Sequence, residues 1–169
     1  MTTTKTTIDL RPLLAKDAEV AAEIFVDAVM NGTTNHYSEE ERRAWAGPRP
    51  DPERWRDRIG GSVGLMAERN GVPVGLMTLV APDHIDLAFV RPSAAGSGVG
   101  TALLESLTMI ARASGATKLT ADVSKAARPF FERNGFERVA PDHLPAEKWR
   151  GYDEGRRKRL ICLRERRSR

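Results

Sequence analysis

The chain has 169 residues, of which 40% are hydrophobic and 30% charged, with a formal net charge of +4. That length suits one domain, residues 1–169, with a core large enough to fold without disulfides, and the lone Cys162 has no internal partner for one. No apolar run approaches the ~20 residues of a membrane span, and the opening MTTTKTT lacks a secretory h-region, so a cytoplasmic protein away from membranes is expected.

Residues 1–7 read as a flexible end, and Ile8–Leu10 as a short first strand. Asp17–Asn31 reads as a helix, because Val20, Ala21, Ile24, Phe25, Ala28 and Val29 recur at helical spacing. Asn31-Gly32 closes it. In Ser38–Ala46 a cap-like serine precedes three glutamates, a charge order that complements a helix dipole. Pro48, Pro50 and Pro52 break that helix, and Glu53–Ile59 suits a short helix after them. Val63–Glu68 and Val74–Val80 are apolar runs around Asn70-Gly71, a hairpin turn signal. Ile85–Val90 is a further strand. Val99–Ser114 is the strongest helix, with Val99, Leu103, Leu107 and Ile110 as its buried stripe and Gly115 as its stop. Leu119–Val123 is a strand, Ala126–Asn134 a helix, and Phe136–Val139 and Arg159–Leu163 are closing strands before a flexible end at 165–169. The order predicts an α/β (α+β) fold with a central mixed sheet flanked by helices.

The basic excess is concentrated late, at Arg156, Arg157, Lys158, Arg159, Arg164, Arg166, Arg167 and Arg169. It suits a polyanionic ligand or, equally, a solvated strand edge. No aromatic residue interleaves with these arginines, so nucleic-acid binding is not expected. His36, His84 and His143 have no metal-ligand spacing with Cys162, and no metal is expected.

The informative stretch is Val90–Thr101, VRPSAAGSGVGT, where a strand runs through a glycine-rich turn into the strongest helix. Gly96, Gly98 and Gly100 let a backbone approach a ligand closely, and the first helical turn offers unpaired N–H groups and partial positive charge. This is an anion cradle. No lysine follows the glycines as a nucleoside-triphosphate loop requires, and GSGVG lacks the third spacing of a dinucleotide fingerprint.

Here the sequence resembles the GNAT acetyltransferases, whose pyrophosphate loop is Gln/Arg-x-x-Gly-x-Gly/Ala after a strand ending in Val-x-Pro. Val90-Arg91-Pro92 supplies the strand end, and Ala95–Gly100 occupies the loop. Ala95 departs from the usual Gln or Arg. Ser124–Phe136, SKAARPFFERNGF, resembles the second cofactor segment and is similar to a bacterial subgroup with ARPFFER-GF there. DHIDLAFV and YSEEERRAWA extend that likeness to roughly residues 8–140, and Pro141–Lys158 is left outside it.

The resemblance implies a mostly antiparallel sheet and direct transfer of an acetyl group from acetyl-CoA to a primary amine of a small molecule or peptide, without an acyl-enzyme. The cofactor contacts it implies are Leu87, Phe89 and Val90 on the strand, Ala95, Gly96, Ser97, Gly98, Val99, Gly100 and Thr101 in the loop and helix start, and Ser124 and Phe131 in the second segment. His84 aligns with a catalytic Glu of some members. An imidazole titrates near neutrality, so His84 is the candidate base, with Asp86 on the same face as orienting partner or substrate carboxylate. Both residues could instead cap the strand entrance. The usual acid is a Tyr where this chain has Phe131, and Tyr37 and Tyr152 are the two tyrosines. Ala95 and Phe131, both off pattern, favour an alternative: a non-catalytic CoA-binding or regulatory module of the same fold. A homodimer is compatible with the sequence.

Overall fold

The computed structural model describes residues 6–80 and 82–138, and the backbone of 161–165. The strands are β1 (Ile8–Pro12), β2 (Val63–Arg69), β3 (Val72–Val80), β4 (His84–Val90), β5 (Thr120–Val123), β6 (Phe136–Arg138) and β7 (Ile161–Glu165). The helices are α1 (Ala18–Gly32), α2 (Glu39–Ala46), α3 (Pro52–Gly60), α4 (Val99–Ala113) and α5 (Arg128–Arg133). The expected elements appear in the expected order. β1 runs two residues further than periodicity suggests, because Arg11 and Pro12 pair with Met66 and Leu65 of β2. The expected flexible ends fall largely outside the described residues, as do Tyr152, His143, the arginines at 156–159 and the side chain of Cys162.

Local chemistry sets the boundaries. Ser38 caps α2 reciprocally with Glu41: its hydroxyl accepts from the Glu41 amide at 3.1 Å, and the Glu41 carboxylate accepts from the Ser38 amide at 3.0 Å. Asp51 caps α3 and Pro52 opens it. Asn70 (φ 52°) and Gly71 (φ 79°) form the two-residue turn between β2 and β3, where positive φ at both positions matches the twist of the strands.

Among the described residues, seven strands make one sheet in the order β1-β2-β3-β4-β5-β7-β6. Every neighbouring pair is antiparallel except β4 and β5. One face buries Leu103, Leu104 and Leu107 of α4 and Phe131 of α5 against Leu65, Met77, Ile85 and Ala121. The other buries Ile24 of α1 and Trp55 and Ile59 of α3 against Met66, Leu76 and Leu87. Burial of this apolar surface, at about 25 cal/mol per Å², is the main stabilising term.

Candidate active site

The site begins where the sheet comes apart. β4 and β5 share two registered pairs, His84 with Thr120 and Ile85 with Ala121, and the Thr120 amide donates to the Asp83 carbonyl at 2.9 Å. Beyond those rungs β4 continues beside β3 to Val90 and β5 beside β7 to Val123, with no ladder between them. The strands therefore part towards their C-terminal ends.

A slip in β4 helps to shape this opening. Thr78 of β3 pairs with Leu87 and the adjacent Leu79 with Ile85, so Asp86 is the extra residue of a β-bulge. The slip changes the alternation. Ile85 packs on the α4 face, yet Leu87, two residues on, packs on the α1 face. Leu87 donates its N–H to Thr78 Oγ1 at 3.1 Å, and Arg91 donates its own to the Val74 carbonyl at 2.7 Å. Both amides point to β3, so strand alternation turns those of Ala88 and Val90 towards the opening. Of the expected contacts, the Leu87 side chain is buried in the core. The side chains of Phe89 and Val90 pack on opposite faces of the sheet.

After β4, Arg91 ties the strand end to α1 through Asp27 at 3.2 Å. Pro92–Ala94 form a single tight turn, and Ser97 Oγ donates to the Ala94 carbonyl. Ala95, Gly96, Ser97 and Gly98 are exposed, while Val99 is buried. Gly96 (φ 72°) and Gly98 (φ 89°) are left-handed, and a Cβ built on either meets nothing within 4 Å. The turn is thus unplugged. Gly98 is the N-cap of α4, so the amides of Val99, Gly100 and Thr101 form its first turn. Gly100 differs from its neighbours: a Cβ there would stand 3.1 Å from the Phe130 ring, so this glycine makes room for α5.

At the closed end of the opening, His84 is 6% exposed. Its Nδ1 lies 2.7 Å from Thr120 Oγ1, and its Nε2 lies 3.6 Å from Asp122 Oδ2, within reach of charge pairing. The acid expected beside it, Asp86, is gripped by Arg58 of α3, with Nε to Oδ2 at 2.9 Å and Nη2 to Oδ1 at 3.1 Å. The structure thus gives His84 an acidic neighbour on β5. Thr120 and Asp122 escaped sequence reasoning. Their signal was two polar residues at i and i+2 in an otherwise apolar strand.

Ser124 is buried, and its hydroxyl accepts from the Ala127 amide at 3.1 Å, shaping the turn from β5 into α5. Phe131 is 1% exposed and stacks edge-on with Phe130 and Phe136, which places it in the core and gives it no polar group to offer. Among the described residues, no three His, Cys, Asp or Glu side chains form a metal-binding group, and no helix is long and apolar enough to cross a membrane.

Residues 33–146 match the family model of an acetyltransferase (GNAT) domain. The chain is 35% identical over 132 residues to the uncharacterized N-acetyltransferase YafP of Escherichia coli K12, covering 78% of this chain and 83% of that protein. It is 39% identical over 83 residues to a glucosamine 6-phosphate N-acetyltransferase of Trypanosoma brucei brucei, covering 47% of this chain and 51% of that one. A crystal structure from Rhodopseudomonas palustris, described as a GCN5-related N-acetyltransferase: aminotransferase, class-II, superposes with a TM-score of 0.80 at 34% identity, covering 94% of this chain and 95% of that one. PaiA N-acetyltransferase of Thermoplasma acidophilum, solved with coenzyme A, shares the fold with a TM-score of 0.73 at 17% identity, covering 95% of this chain and 99% of that one.

Proposed function

This chain belongs to the GNAT acetyltransferase family, and from that premise we propose that it moves an acetyl group from acetyl-CoA directly to a primary amine of a small molecule or peptide. The observation that carries the reading is the parting of β4 and β5 beside an unplugged glycine turn. A chain of pantetheine's width needs such a slot, and a pyrophosphate needs free amides at its mouth. The residues present suit both needs. The amides from Gly96 to Thr101 would hold the phosphates, and those of Ala88 and Val90 line the slot as donors to the pantetheine arm and the thioester oxygen. Ser124 shapes the opposite wall. Acetyl-CoA supplies an activated acyl group when bound.

His84 is the group we assign to the amine's proton. Thr120 fixes the ring through Nδ1, and Asp122 stabilises the imidazolium once Nε2 is protonated. Near-complete burial of the imidazole favours arrival of that proton through one water. Asp86, locked to Arg58, shapes the acceptor side. The reading extends to one domain over residues 1–169, within the bacterial subgroup that carries ARPFFER-GF, here Ala127–Phe136.

Two measurements on the purified protein test this. At ~100 times its dissociation constant, acetyl-CoA should stabilise the fold by about 2.7 kcal/mol in thermal melting. Free thiol should appear above the hydrolysis background when amines are added. Binding without turnover across a broad amine panel would assign the chain to the non-catalytic alternative, which the burial of Phe131 favours. No melting shift at millimolar cofactor would remove both readings.

A further inference from the structure

Resting on the acetyltransferase reading above, we propose that Tyr37, from the connection between α1 and α2, is the proton donor to the departing sulfur. Tyr37 is buried although it lies between helices, and its hydroxyl accepts a hydrogen bond of 2.9 Å from the Lys125 amide, 88 residues away. Lys125 is the second residue beyond the end of β5, so the phenol stands on the β5 side of the opening. Among the described residues this is the only hydrogen bond of the hydroxyl, and it is one the oxygen accepts. The proton of Tyr37 Oη is therefore directed elsewhere.

A second observation points the same way. Trp45 of α2 packs edge-on against Tyr37 with ring centroids 5.6 Å apart, and lies 6.5 Å from the ring of Phe89 on β4. The three rings form a chain from the end of β5 to β4. They span the opening on the face covered by α1. The phenol thus sits where that chain of rings meets the end of β5.

Competing donors are weaker. Phe131 has no proton to give, and the hydroxyl of Ser124, as an aliphatic alcohol, is a far weaker acid than a phenol. The step balances as follows. The amine nitrogen bonds the acyl carbon, the C–S bond breaks, and its electron pair goes to sulfur. The Oη proton moves to that sulfur to give the free thiol. The phenolate left behind keeps the charge-assisted hydrogen bond from Lys125 and is reprotonated from solvent. The proton of the amine leaves by the His84 side.

Tyr37→Phe keeps the ring packing and removes the hydroxyl. We expect kcat to fall about 100-fold while the dissociation constant for coenzyme A changes by less than about twofold. A crystal structure of the wild-type protein with coenzyme A, which does not depend on how the variant folds, should place Oη within about 4 Å of the sulfur, directly or through one water. A variant that keeps kcat within about threefold of wild type, or a sulfur out of reach of Oη in that complex, overturns the assignment to Tyr37 alone. Wild-type protein that neither binds acetyl-CoA nor releases thiol overturns the acetyltransferase reading, and this assignment with it.

Discussion

His84 Nδ1 meets Thr120 Oγ1 at 2.7 Å on the first of the two rungs that join β4 to β5. The contact fixes the imidazole by a residue on the neighbouring strand, so ring position and strand pairing depend on each other. Thr120→Val keeps the shape and deletes the oxygen. Turnover should fall by roughly 10-fold with cofactor affinity retained, and His84→Ala should lower it by about 100-fold or more. Thiol-release kinetics set beside acetyl-CoA melting shifts will separate these effects. Equal losses in turnover and affinity would mark the histidine as structural.

The glycine turn separates backbone strain from crowding. At Gly98 a Cβ meets open space but φ is 89°, so Gly98→Ala should cost about 1–2 kcal/mol of stability through backbone strain. It should also weaken acetyl-CoA binding by displacing the first amides of α4, and Gly98→Val should abolish that binding. Gly100→Ala presses on Phe130 instead, so its effect should fall on α5. Hydrogen exchange of the α5 amides reads that difference directly.

Arg58 and Asp86 join α3 to the bulge of β4. The Asp86 side chain is 14% exposed, so Arg58→Ala would leave a largely buried carboxylate without its bidentate partner. A loss of about 1–3 kcal/mol in chemical denaturation is expected. KM for the amine should rise while the dissociation constant for acetyl-CoA holds. An unchanged amine KM would remove this pair from the acceptor side.

Acid sensitivity should trace to Asp17. Hydrogen bonds from Arg11, at 2.9 and 3.0 Å, hold its carboxyl below the usual 3.8, assisted by the Leu14 amide. The folded state therefore binds this proton less readily than the unfolded chain. The stabilisation is complete above the unfolded value and is lost as pH falls through the lower folded one. Asp17→Asn should lower stability by about 1–3 kcal/mol at pH 7 and flatten the decline of Tm below about pH 4. Parallel wild-type and variant curves through that range would exclude Asp17 as the cause.

Most of the fold was legible in local pattern. The apolar spacing of α1 and α4, the capping serine of α2 and the Asn70-Gly71 turn each declare themselves within a few residues. The glycine turn was legible for the same reason. The partners of His84 were not, because Thr120 lies 36 positions away and pairing, not propensity, brings it near. The bulge at Asp86 was hidden likewise, since register is settled by β3. Nothing local in the sequence singles out Tyr37, because its contact with Lys125 exists only through the tertiary fold.

The two rungs between β4 and β5 have a mechanical consequence. They are the seam between a four-stranded half of the sheet and a three-stranded half, otherwise joined through the core beneath α4. A molecule wedged into that seam would act as a splint. Occupancy should then register as stiffness: slower amide exchange along β5 and the outer length of β4, and a sharper cooperative melt of the two halves together.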